Sequence, residues 1–467
     1  MPVVTSPLQL LSTVQLEELT LEQRNIATFL RNHLKQNISA QLLHHIGGRA
    51  GTGKTVLLRF LHDIIVQHFG YNASCMLTAT TGTAAESIGG RTLHSAMKLA
   101  IHDKDAFRPL IGRALEKLRN DLEGVKFLFI DEISLLSSRG LSELNSILQR
   151  ALKSTLPFGG LSVFLFGDLL LLQPVSRAPV FEDLPANFLP RKNSISIDQS
   201  NLKKENLFDL FDIVFLEEMI RTETKEDDEI LQKIRIGDIT AELTCQIENK
   251  CSMRNIDIFE ELKDIESENP GKTFMILATE RRVVEALNDY KVKSMGTPTT
   301  IRSISFNRTK PNAVRMIKKV EGSFFTTMKV IVGCKMMLGV NWDQKKGLIN
   351  GSIGKLKEIN PDYLTVNFPK TGDEKFPRIG FEKNGQFWTD FPLRVAEVCT
   401  VHKAQGFTFD GVIITPGTRV LLPGLMYSAL SRSRSLDLCR ILHIDTENWR
   451  HSIRAKARLE SKRGIKN

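Results

Sequence analysis

The stretch that decides the fold is GRAGTGKT, Gly48-Arg49-Ala50-Gly51-Thr52-Gly53-Lys54-Thr55, set between HHI and VLLRFLHDI. It fits G-x-x-x-x-G-K-[ST] with an apolar strand before it and a helical run after it, the setting a P-loop requires. The glycines let backbone N–H groups close around phosphate oxygens, and the first turn of the helix, from Lys54 through Val56, adds a favourable dipole. Lys54 is placed to reach β- and γ-phosphates, and Thr55 to offer its hydroxyl to Mg²⁺. Arg49, Ala50, Gly51 and Thr52 complete the cradle. Such a loop leaves the work undefined, because kinases, GTPases, transporters and motors all use it.

Outward from the loop, strand-like runs alternate with helical stretches over about 45–190: SCMLTATTG, VKFLFIDE, LSELNSILQRAL, LSVFLFGD. That alternation implies a parallel sheet covered on both faces. VKFLFIDE ends an apolar strand on Asp131 and Glu132, one carboxylate for the Mg²⁺ shell and the next to orient a water. An adjacent second carboxylate favours hydrolysis over transfer to a substrate hydroxyl. FDIVFLEE and TFMILATE read as strands of a second α/β unit. Between about 318 and 390 the texture changes to short strands broken by Gly, Asn-Gly and Pro-Asp, the pattern of a small all-β barrel. VAEVCTVHKAQG, GVIITPG and LMYSALSRSRS then return to α/β.

At 467 residues the chain is long enough for roughly two to four domains. A net charge of +10 favours a polyanionic partner. Part of the excess lies in the tail RHSIRAKARLESKRGIKN, which sets seven Lys or Arg against one Glu. None of the six cysteines forms C-x-x-C, so the thiols are read as those of a reducing compartment. The start lacks a basic region followed by an apolar core, and no run approaches the roughly 18 apolar residues of a membrane span.

DEIS at 131–134, TATTGTAAESIGGRTLHS upstream, and TVHKAQGFTFD and YSALSRSRS downstream together resemble the Pif-type and RecD-type superfamily-one DNA helicases over roughly residues 20–445. The resemblance implies an ATP- and Mg²⁺-dependent, monomeric 5′→3′ translocase on single-stranded and forked DNA, with no membrane partner. It would work in the nucleus or at an intracellular viral replication site. The implied architecture is two RecA-like domains, 1–197 and 198–317 with 389–467, and an SH3-like insertion at 318–388. Carried over by motif, Gln23 is similar to the adenine-reading glutamine, and Arg221 and Arg432 to arginines that offset charge on the transferring phosphoryl group. Gly406 is placed with the nucleotide. Thr81, Gly82, Thr83 and His94, with Thr400, His402 and Lys403, match strand contacts that hold sugar-phosphate without reading sequence.

The pattern breaks at FGDLLLLQPV. Gly167 and Asp168 fit, but Leu171 stands where the family has a glutamine that senses the γ-phosphate, and leucine has neither donor nor acceptor. Gln173 lies two residues on, displaced by roughly 6–7 Å if extended. Arg221-Thr222 also departs from the family's Arg-Gln. A competing reading follows: a helicase-fold nucleic-acid-binding protein whose ATPase coupling is weakened or lost.

Overall fold

The computed structural model describes residues 8–36, 40–99, 110–174, 177–183, 206–220, 224–306, 316–317, 327–343, 346–383, 386–417 and 421–462. They form two compact units, taken from Met1–Ile239, Leu422–Ser431 and Trp449–Asn467, and from Thr240–Leu421 and Arg432–Asn448.

The first unit opens with α1 (Leu21–Lys35), whose start is set by a reciprocal capping box between Thr20 and Gln23. Then come β1 (Leu43–Gly48), α2 (Lys54–Phe69), β2 (Cys75–Ala79), α3 (Gly82–Ser87), β3 (Arg91–Thr92), α4 (Leu93–Met97), α5 (Gly112–Asp121), β4 (Phe127–Asp131), α6 (Ser138–Leu152), β5 (Ser162–Gly167), β6 (Asp212–Leu216) and α7 (Lys225–Ile236). The strands make one parallel sheet in the order β3-β2-β4-β5-β1-β6. β4 and β5 are buried along their whole length, which is why FLFID and SVFLFG read as unbroken apolar runs. One face packs on α1 and α2 through Leu30, Leu57, Leu61 and Ile65. The other packs on α5 and α6 through Leu118, Leu141, Leu144 and Leu148.

The second unit holds α8 (Ala241–Cys251), α9 (Ile258–Glu268), β7 (Phe274–Ala278) and α10 (Arg281–Ser294) before the β-rich region. That region runs through β8 (Thr299–Arg302), β9 (Ile304–Phe306), β10 (Met316–Ile317), β11 (Thr327–Val330), β12 (Lys335–Leu338), β13 (Ile353–Ile359), β14 (Tyr363–Phe368), β15 (Gly372–Pro377), β16 (Ile379–Lys383), β17 (Gln386–Asp390) and β18 (Leu393–Val395). Its largest sheet, β15-β14-β13-β12-β18, is antiparallel, and the Asn360-Pro361-Asp362 turn joins β13 to β14. Parallel pairing resumes with β19 (Val398–Thr400), β20 (Gly411–Thr415) and β21 (Arg440–Ile441) in the order β19-β7-β20-β21. A one-turn helix, α11 (Val401–Ala404), follows β19. Helices α12 (Leu425–Leu430) and α13 (Ile453–Lys462) return to the first unit.

Two placements differ from the sequence reading. FDIVFLEE supplies β6, which pairs with β1 as the sixth strand of the first sheet rather than a strand of the second unit. Leu422–Ser431 and Trp449–Asn467 likewise group with the first unit. An apolar run specifies a buried strand, but the sheet edge it joins depends on which edge is open. The expected boundary at residue 197 lies outside the described residues. Among the described residues no helix is long and apolar enough to cross a membrane.

Candidate active site

β1 delivers the chain into the loop at Gly48, and the loop turns through Gly51 (φ 99°) and Gly53 (φ 74°), both left-handed, before Lys54 starts α2. A Cβ on Gly48 would lie 2.7 Å from Thr52 Oγ1 and 2.9 Å from the Leu216 carbonyl, and one on Gly53 would lie 2.5 Å from Gln23 Nε2. Glycine is therefore demanded by packing as well as by φ. The Lys54 ammonium folds over its own loop, donating to the carbonyls of Gly48 (2.8 Å) and Arg49 (2.6 Å). Thr55 is half-buried beside it, and Val56 is exposed.

The first half of the loop is gripped from outside. The Arg49 guanidinium pairs with Asp228 in the first turn of α7 and donates to the Glu217 carbonyl (2.7 Å). The Ala50 N–H donates to the Tyr427 hydroxyl (3.2 Å), and Ile220 N–H donates to the Gly51 carbonyl (3.0 Å). Gln23 is already engaged on both sides of its amide: Nε2 donates to the Thr52 carbonyl (3.1 Å) and Oε1 accepts from Thr20 N–H (3.2 Å).

Asp131 and Glu132 close β4, separated from β1 by β5 alone. Asp131 is buried and accepts the Glu132 N–H at 2.8 Å. Burial, followed by the charge of Glu132, pushes its carboxyl up to about 7 against the pull of Lys54. A carboxylate held this far above its ordinary range is one that a divalent cation stabilises. Among the described residues no group of three or more His, Cys, Asp or Glu side chains could hold a metal ion. One Asp and one Thr hydroxyl still suit Mg²⁺, which keeps waters and phosphate oxygens in its shell.

A buried cluster that the sequence reading missed lies behind the loop. Arg235, near the end of α7, grips Asp168 with two hydrogen bonds of 2.8 Å, and the Tyr427 hydroxyl donates to Asp168 at 3.1 Å. Since Tyr427 also accepts from Ala50, the chain Arg235–Asp168–Tyr427 ends on the P-loop backbone. Burial alone would raise the Asp168 carboxyl, but the Arg235 guanidinium overrides it and holds the group below the usual range. FGD, RIGD and YSALS carried Asp168, Arg235 and Tyr427, yet no spacing rule linked them. Leu171 is buried, and its N–H donates to the Asp168 carbonyl (3.1 Å). Gln173 does not take its place: its amide donates to Ser452 Oγ at 2.6 Å.

The remaining predicted residues divide between the units. Thr81 caps α3, accepting from Ala84 N–H (3.2 Å), with Gly82 and Thr83 in the first turn, and His94 lies in α4. In the second unit Thr400 caps α11, accepting from Lys403 N–H. His402 and Lys403 are both held below their ordinary pKa, chiefly by burial. Gly406 turns left-handed (φ 91°), and the buried Arg432 accepts Phe409 N–H at its carbonyl (2.8 Å). Arg221 lies outside the described residues.

Residues 18–244 match the PIF1-like helicase family, and those residues hold the P-loop, Asp131–Glu132 and the Asp168–Arg235 pair. Over that stretch the chain is similar to that family. It is 28% identical over 420 residues to the ATP-dependent DNA helicase PIF1 of Danio rerio, covering 85% of this chain and 58% of that protein. With the ATP-dependent DNA helicase Pif1 of Bdellovibrio bacteriovorus it shares 28% identity over 399 residues, 83% of this chain and 81% of the relative. The crystal structure of Bacteroides Pif1 bound to ssDNA superimposes with a TM-score of 0.70 at 25% identity, over 96% of this chain and 97% of that one. The fold of this PIF1-like chain is thus two RecA-like domains with a β-rich region in the second. It spans about half the length of several curated relatives.

Proposed function

We propose that this chain is an ATP-dependent DNA helicase: it hydrolyses ATP at the P-loop, translocates 5′→3′ along single-stranded DNA as a monomer and separates duplex ahead of it. The observation that carries this reading is the pairing of a P-loop lysine with Asp131, buried one strand away beside the half-buried Glu132, whose charge raises the Asp131 carboxyl. In this reading Lys54 binds the β/γ-phosphates, Thr55 and Asp131 hold Mg²⁺, and Glu132 orients the attacking water. Gln23 reads adenine. Arg432 and Arg221, with Gly406 beside the nucleotide, complete the charge-stabilising wall. Thr81, Gly82, Thr83, His94, Thr400, His402 and Lys403 hold the sugar-phosphate strand, and the β-rich region serves as an SH3-like insertion. Support comes from the named activities of the relatives and from the ssDNA-bound Bacteroides neighbour. The nucleus or an intracellular viral replication site is the setting in which such a motor finds its DNA.

Lys54→Ala tests the reading directly. Hydrolysis and strand displacement should vanish while salt-sensitive single-strand binding persists, because phosphate contacts on DNA do not involve the P-loop. A Lys54→Ala protein that still unwinds sinks the assignment. On tailed duplexes, displacement should need a 5′ tail, and displacement from a 3′ tail alone overturns the polarity.

A further inference from the structure

Beyond the ladder itself, the ends of β2 and β4 are stitched together by three hydrogen bonds. Thr78 Oγ1 donates to the Phe129 carbonyl (2.7 Å), Thr80 N–H to the Asp131 carbonyl (3.1 Å), and Thr80 Oγ1 to the Glu132 carbonyl (2.7 Å). The last of these falls on a residue in an unusual state. Glu132 has φ 55° and ψ 47°, a left-handed conformation that residues other than glycine keep only where their surroundings hold them. The residue after Thr80 faces the opposite way in function: Thr81 caps α3, its hydroxyl accepting from Ala84 and its carbonyl from Ala85 N–H (3.1 Å). Two consecutive threonines therefore join the backbone of Glu132 to the start of the TGT segment.

The Thr80 hydroxyl is not there to rescue a buried group. The Glu132 carbonyl also accepts Leu135 N–H (3.3 Å), and Thr80 is only half-buried. Removing the hydroxyl leaves that carbonyl bonded and the strands paired. What it removes is a directional restraint on the left-handed turn. We infer that Thr80 is a positioning residue of the hydrolysis site: its hydroxyl holds Glu132 in that turn and makes the carboxylate's placement depend on how Thr81–Thr83 is seated. This rests on the reading above, in which Glu132 orients water and Thr81–Thr83 touches the strand. The link bypasses position 171, where leucine has no group with which to carry a signal.

The test compares Thr80→Val, which keeps the shape and deletes the donor, with Thr80→Ser, which keeps the donor. ATPase is measured against ATP concentration with and without saturating single-stranded DNA, alongside the thermal unfolding midpoint. Thr80→Val should lower the DNA-stimulated kcat about tenfold, the factor that one well-made hydrogen bond supports. The KM for ATP and the unfolding midpoint should stay near wild type, and Thr80→Ser should restore the rate. Should valine lower the midpoint, Thr80→Ala provides the same deletion without the added bulk. Full stimulation in the donor-free variants overturns the inference, as does an equal loss in Thr80→Ser or a change confined to KM. A wild-type chain unstimulated by DNA instead sinks the helicase reading and takes this link with it.

Discussion

Arg235→Leu should expose the energetics of the buried cluster through its pH dependence. Asp168 is 1% exposed and Arg235 6%, so neither charge is solvated in the fold. Removing one partner from such a pair costs about 3–5 kcal/mol, because the other is left buried without its counter-charge. In the wild type the Asp168 carboxyl is held below its ordinary value. Its contribution is therefore present above the unfolded pKa and lost only as pH falls through the depressed folded value, so it is flat between pH 5 and 8. In the variant, burial is opposed only by the Lys54 charge and the Leu170 N–H, and the carboxyl should rise above its ordinary value. The variant then loses stability as pH rises through that raised value. At pH 5 the loss should be about 1–3 kcal/mol, the cost of broken hydrogen bonds to a neutral group. At pH 8 it should reach the full 3–5 kcal/mol, lowering the transition of the first unit by roughly 6–20 °C. Differential scanning calorimetry at the two pH values reads both numbers. Adding Asp168→Asn should recover part of the loss at pH 8, because the two side chains form one network. A depression that is the same at pH 5 and pH 8, or below about 2 °C at either, refutes the reasoning.

Asp131→Asn should stabilise the nucleotide-free chain at pH 8 while abolishing hydrolysis. The raised carboxyl costs nothing below its unfolded value and its penalty is complete above about 7. The gain should therefore grow with pH to at most about 4 kcal/mol. Melting curves in EDTA from pH 4 to 8 measure it, and a pH-independent difference counts against the assignment. Leu171→Gln should raise DNA-stimulated ATPase severalfold. It should also lower the melting temperature, since position 171 is buried and an amide there costs about 1–3 kcal/mol unless it finds a partner. Equal turnover in the two proteins removes the idea that Leu171 weakens coupling.

Much of the site was legible because its chemistry is local. The loop from Gly48 to Thr55 needs consecutive glycines, a lysine and a hydroxyl between a strand and a helix. Gly53 shows why: its left-handed φ of 74° favours glycine, and an added Cβ would have to displace the Gln23 amide 2.5 Å away. Asp131 and Glu132 were equally plain, since an apolar strand ending on two carboxylates is written in seven or so consecutive residues. Even the departure at Leu171 was visible as a missing functional group. What the sequence left open were the partners. β6 joined the first sheet because an edge beside β1 was open to it, and an apolar run does not encode which edge it will meet. Gln173, the glutamine displaced from its motif, is committed to Ser452, 279 residues away. Asp168, Arg235 and Tyr427 meet across 67 and 259 residues of chain. Motifs of adjacent residues are set by the covalent chain. Pairings across such distances exist only once burial has removed water and made an unpartnered charge costly, which is a property of the folded core alone.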